Sequence, residues 1–220
     1  MSAPDPDKLF FIQAYFDDLS TRIENLKKLS SGQIEGQSFR DEALILCLVY
    51  IDGLASNYYG GDGIKESFCK ALRELSGNPL FGKLHVRRLL DPENDPHWEG
   101  AKDGVEKLAS EKPGELLDET DVANSIRKSG VLEHVQKKLT KNLWRYSIAA
   151  ICYEFMRNAA VHGLGTSTLS FDETIYEGTR GVRLTFTVLH QALVQIAQHV
   201  LQESIRTGEW FGRKDYFKKR

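Results

Sequence analysis

The chain of 220 residues is 41% hydrophobic and 27% charged, with a formal net charge of −2. That length supports one well-packed domain, and the charge balance excludes a whole-protein field that would drive it onto nucleic acid or anionic lipid. Any contact with RNA must come from local basic patches.

The opening, MSAPDPDKLFF, lacks the basic and apolar regions of a secretory signal. The longest apolar run, Ala43 to Ile51, is nine residues, about half of what a membrane span needs. Cys47, Cys69 and Cys152 form no CxxC pair. Buried, reduced thiols in a cytoplasmic protein without a membrane partner are therefore expected.

Ile12, Tyr15, Phe16, Leu19, Ile23 and Leu26 recur at steps of three and four, which predicts a helix from about Lys8 to Leu29. Ser30–Gly32 closes it. A second helix is expected from Ser38, an N-cap with Asp41 three positions on, to the stop at Gly60 and Gly61. It is apolar almost all round, so it belongs in the middle of the core. Asp62 is the expected cap of a third helix carrying Ile64, Phe68, Leu72 and Leu75. Residues 80–120 are interrupted by Pro92, Pro96 and Pro113 and read as an insertion packed on the outside of the bundle. One long helix from Val131 to His162 is expected next, with a bend near Thr140–Asn142.

After the glycines at 163 and 165, TSTLSF and GVRLTFTV alternate polar and apolar residues and predict a small β-hairpin. The last helix spans about Leu189 to Arg206. Together these elements describe a single, mostly all-α domain over residues 1–220, a four-helix-bundle-like fold with short extra helices and a hairpin before the last helix.

The stretch FMRNAAVHG places Arg157 and His162 five positions apart at the end of the long helix, with Asn158 directly after the arginine. Arg127–His134 and Arg183–His190 each have six intervening residues. The first crosses Gly130 and the second starts in a predicted strand. Only Arg157–His162 ends a long apolar-faced helix and leads into a glycine turn.

This string resembles the R-x(4–6)-H signature of the HEPN superfamily, in which a polar residue commonly follows the arginine. The resemblance implies a helical bundle, a homodimer, and a metal-independent endoribonuclease of the kind found in toxin–antitoxin and antiviral systems. It also admits non-catalytic members that bind RNA or a partner protein, including an antitoxin or regulator. It implies catalytic roles for Arg157, Asn158 and His162, with no metal and no cofactor.

The residues allow the same chemistry. His162 would move a proton near neutral pH while Arg157 offers a fixed bidentate charge to a phosphate. In an ideal α-helix, residues five apart point about 140° from each other. Convergence therefore needs a distorted helix end or a two-fold dimer. Equally, an Arg and a His in a last turn meet the negative end of the helix dipole and need no function.

Asp52, in the most apolar helix, must find a cation or face solvent. Arg157 would place it behind the site, a structural arginine elsewhere or a solvated rim would not. Glu154 is a second candidate partner for Arg157, three positions earlier on one helix face. The tail WFGRKDYFKKR interleaves aromatics with Arg213, Lys214, Lys218, Lys219 and Arg220. Such a mixture suits single-stranded RNA, or a solvated tail whose aromatics dock back onto the bundle.

Overall fold

The computed structural model describes residues 5–34, 37–60, 63–91, 98, 100–112, 114–158, 169–175, 178–214 and 216. In chain order, α1 (Pro6–Ser31) is followed by the short strands β1 (Gln33–Ile34) and β2 (Gln37–Ser38), then α2 (Arg40–Tyr59) and α3 (Ile64–Glu74). A 3-10 turn at Pro79–Gly82 leads to β3 (Leu84–His85), α4 (Val86–Leu90), α5 (Lys102–Glu111), β4 (Leu116–Leu117), α6 (Glu119–Lys128) and α7 (Glu133–Asn142). A second 3-10 turn, Leu143–Tyr146, precedes α8 (Ile148–Ile151), which continues as a π-helical turn over Cys152–Arg157. The strands β5 (Leu169–Ile175) and β6 (Gly178–Leu184), the helix α9 (Phe186–Thr207) and a 3-10 turn at Trp210–Gly212 complete the order. The described chain is mostly helical. No single helix among the described residues is long and apolar enough to cross a membrane.

Two compact units divide the chain where the sequence reading has one domain. The first comprises Met1–Asn78, Tyr153–Ser167 and Thr185–Arg220, the second Pro79–Cys152 and Thr168–Leu184.

In the first unit α2 packs on α1, α3 and α9, and α1 packs on α9. Asp5 caps α1 by accepting the Asp7 amide, and Pro6 fills the first turn, where its missing N–H is not needed. The predicted stripe is the buried one: Ile12, Phe16, Leu19, Ile23 and Leu26, with Tyr15 at the rim. Thr185 caps α9 by accepting the Val188 amide, and the helix ends at Gly208 in the left-handed conformation. It starts earlier than the apolar periodicity implies because Thr185 is the capping residue.

Two details of α2 and α3 differ from expectation. Phe39 stands at the cap of α2, while Ser38 belongs to β2 and its hydroxyl accepts the Arg40 amide. Leu46 and Val49 are exposed, so α2 is not buried all round. Its three helical neighbours cover only part of its circumference. Gly63 stands at the cap of α3, and Asp62 lies outside the described residues.

Residues 80–120, read from the sequence as an insertion, fall in the second unit. Leu84, Leu89, Trp98, Ala101, Val105, Leu117, Val122 and Ile126 build a core there with Leu139, Leu143 and Tyr146. The predicted hairpin forms, with register from Leu169↔Leu184 to Ile175↔Gly178, but within a four-stranded sheet of order β3-β4-β5-β6. β3 runs antiparallel to β4, and β4 joins β5 in parallel at Leu116↔Glu173.

The long helix expected over 131–162 is broken rather than bent. Ser147 is extended, bridges to Leu84, and its hydroxyl accepts the Ala150 amide to start α8. The Ile148 amide donates to the Lys83 carbonyl at 2.9 Å. A strand pairing thus claims backbone groups that an unbroken helix would use.

Two glycines, one inside α2 and one just after it, predict opposite outcomes. Gly60 has φ of 80° and its pro-Cβ position lies 2.4 Å from Arg213 Cζ. Gly60→Ala is expected to lower stability by about 1–2 kcal/mol in urea unfolding. Gly53, exposed within the helix, has nothing within 4 Å of an added Cβ. Gly53→Ala is expected to raise stability by about 0.5–1 kcal/mol.

Candidate functional site

The end of the π-turn carries Arg157. A π-turn closes hydrogen bonds five residues apart, so it widens the helix and rotates everything beyond it by the equivalent of one inserted residue. The helix therefore departs from ideal geometry just before the motif. Within the turn Met156 is fully buried and Phe155 is exposed.

Arg157 reaches α2. Its Nη2 donates to Asp52 Oδ2 at 2.8 Å, and the two side chains are only 15% and 16% exposed. This resolves the open question about Asp52: it meets Arg157, not solvent. Arg157 Nη1 donates to Asn158 Oδ1 at 3.2 Å, and the guanidinium lies 5.2 Å from the centre of the Tyr153 ring. Asp52 Oδ1 and Arg157 Nε are buried without a hydrogen-bond partner among the described residues.

Glu154, the other candidate for Arg157, faces α3. It forms an ion pair with Lys65 at the start of α3. Phe68 of α3 meets Tyr153 edge-on at 5.3 Å. Tyr153 had a sequence signal, the i, i+4 spacing to Arg157 that puts both on one helix face. Lys65 had none, since its link to Glu154 spans 89 positions. His162 lies outside the described residues, as do Lys218, Lys219 and Arg220.

The described part of the tail docks back onto the first unit. Phe211 is buried, lies 5.9 Å from Phe16 and 4.8 Å from Tyr216, and Trp210 stacks edge-on with Tyr15. Arg213 donates to the Asn57 carbonyl at 2.9 Å, where a cation meets the negative end of α2. Lys214 is exposed.

A cavity of about 400 Å³ lies between α1 and α2, lined by Tyr15, Asp18, Arg22, Val49, Tyr50 and Gly53 among others. Neither Asp52 nor Arg157 lines it. No group of three His, Cys, Asp or Glu side chains placed to hold a metal occurs among the described residues. All three cysteines are free and buried. Burial pushes the Cys69 thiol up to about 12 and the Cys47 thiol in the same direction.

Comparison with family models, with curated proteins and with solved structures finds no match to this chain.

Removing one member of a largely buried ion pair strands the other. Asp52→Leu or Arg157→Met alone is expected to cost about 3 kcal/mol in urea unfolding, and the double variant much less than the sum. Equal and additive losses would mean that the pair does not act as a unit. With a thiol reagent at pH 8, Cys47, Cys69 and Cys152 are expected to stay unlabelled in the native protein and to react together on unfolding.

Proposed function

We propose that the chain is a HEPN-like, metal-independent endoribonuclease that works as a homodimer, a toxin or antiviral effector in biological role. The observation that carries this reading is the held guanidinium. Arg157, five positions before His162, is clamped by Asp52 and flanked by Asn158 at the end of a distorted helix.

An arginine has five N–H donors. The bonds to Asp52 and Asn158 use two of them, and the Asp52 pair fixes the orientation of the remainder. Such a preorganised charge is what a phosphoryl transition state rewards. In the proposed reaction the ribose 2′-oxygen forms a bond to phosphorus while the bond to the 5′-oxygen breaks. His162 takes the proton from the 2′-hydroxyl, and the leaving 5′-oxygen acquires a proton from His162 of the partner subunit or from water. Arg157 neutralises the added charge on the non-bridging oxygens. The products are a 2′,3′-cyclic phosphate and a free 5′-hydroxyl. DNA lacks the attacking group and is spared. Asn158, through its amide, would hold Arg157 on one side and His162 on the other.

A second reading follows from the burial of the same pair. Clamped to Asp52, Arg157 also fastens the π-turn to α2, a purely structural task in a non-catalytic dimer that binds RNA or an antitoxin-like protein.

The test is incubation of purified protein with single-stranded RNA in EDTA. Cleavage with 2′,3′-cyclic phosphate ends is expected, with losses of at least about 100-fold for His162→Ala and for Arg157→Lys. Arg157→Lys keeps a cation for Asp52, so its loss reports on the fork geometry and not on unfolding. An inert wild type, or variants that cut equally well, would exclude catalysis and leave the binding reading.

A further inference from the structure

The second unit carries a surface that its own core does not explain. α7 turns Leu139 inward, and the 3-10 turn after it turns in Leu143 and Tyr146. Lys137, Lys138, Lys141 and Arg145 are exposed. Lys138, Lys141 and Arg145 follow at steps of three and four, so they share one face of the helix and its continuation. From Val131 to Tyr146 the one acidic residue is Glu133, against these four cations.

Some lysines of the unit are neutralised by carboxylates, whereas Lys107 and Lys128, like the lysines of this stripe, are exposed. Lys83 pairs with Asp118, Lys102 with Glu106 and Lys112 with Asp121. Lys137 has only the solvent-exposed pair with Glu133 along its own helix, worth little. Lys138, Lys141 and Arg145 have no carboxylate partner among the described residues. At the end of the stripe the Arg145 guanidinium lies 5.8 Å from the ring centre of Trp144, which is half-buried. Unpaired cations beside a partly open indole are the two components that single-stranded nucleic acid uses, phosphate contact and base stacking.

We propose that this face of α7 and the turn after it is a track for the phosphodiester backbone of single-stranded RNA. The occupant is a polyanion and not a bilayer, because the helix offers no apolar face for insertion: Leu139 and Leu143 are buried in the core, and Val135 packs against it. Lys137 to Arg145 is eight residue steps, about 12 Å of helix, which is room for a few consecutive phosphates. That the strand is RNA rests on the ribonuclease reading above. The polyanion contact itself rests on the charges.

The experiment uses full-length protein and a labelled 2′-O-methyl RNA strand of about 16 nucleotides, which cannot undergo 2′-hydroxyl attack. Binding is followed by fluorescence anisotropy across a salt series. Lys138→Gln, Lys141→Gln and Arg145→Gln combined remove three contacts, each worth about 0.7 in the slope of log affinity against log salt on a single strand. The slope should become shallower by about 2, and affinity near 0.1 M salt should fall roughly tenfold or more. The control, Lys27→Gln, Lys28→Gln and Arg40→Gln, removes the same charge from the first unit and should leave slope and affinity almost unchanged. Circular dichroism of both variants checks that the exposed changes leave the helices intact.

An unchanged slope in the α7 variant would overturn the proposal, as would an equal drop in the control. Loss of binding to phosphatidylserine vesicles without loss of oligonucleotide binding would assign the face to a membrane instead and also overturn it. A wild type that binds with the expected salt dependence and never cuts RNA would sink the ribonuclease reading while supporting the track.

Discussion

A carboxylate inside the most apolar helix has to be neutralised. Asp52 follows Ile51, which is fully buried, and α2 packs on α1, α3 and α9. An unpaired charge there would cost several kcal/mol. Arg157, 105 positions away, supplies the cation and ties the π-turn to α2. Lys65–Glu154 and the Phe68–Tyr153 ring contact fasten the same turn to α3. The turn is therefore held from two helices, and the orientation of Arg157 follows from packing as much as from its own chain.

Such a pair adds little net stability, because taking both groups out of water offsets most of their attraction. What it contributes is position. An arrangement of the π-turn that carried Arg157 away from α2 would leave the Asp52 carboxylate without this partner. The tail works by the other kind of force. Phe211 buries its ring against Phe16, and Arg213 then lies at the C-terminal end of α2, beside the left-handed Gly60. Apolar docking places a cation where the helix dipole favours it.

The second unit shows how backbone pairing overrides helix propensity. Residues 131–157 have the composition of one long helix. Leu84 nevertheless pairs with Ser147, and Lys83 accepts the Ile148 amide, so the chain must be extended at that point. The break leaves α7 as a separate, amphipathic segment with an apolar side in the unit's core and a basic side in solvent.

Much of the fold was legible because helix formation is local and periodic. The stripe of α1 reports its own burial directly, and Phe68 and Leu72 of α3 and Leu193, Ile196 and Val200 of α9 do the same. At the site, the motif drew attention to Arg157 and Asn158, and the presence of a charge in an apolar run drew attention to Asp52. The sequence by itself determined these elements and the need for a counter-charge. It did not determine which cation answers Asp52, that Glu154 turns to Lys65, or that two-residue strands at 84–85 and 116–117 join the hairpin into one sheet. Two residues are too few to show a period, and an ion pair across a hundred positions has no spacing to read. Those choices belong to tertiary structure because each depends on which backbone and side-chain groups remain unpaired once the helices have packed.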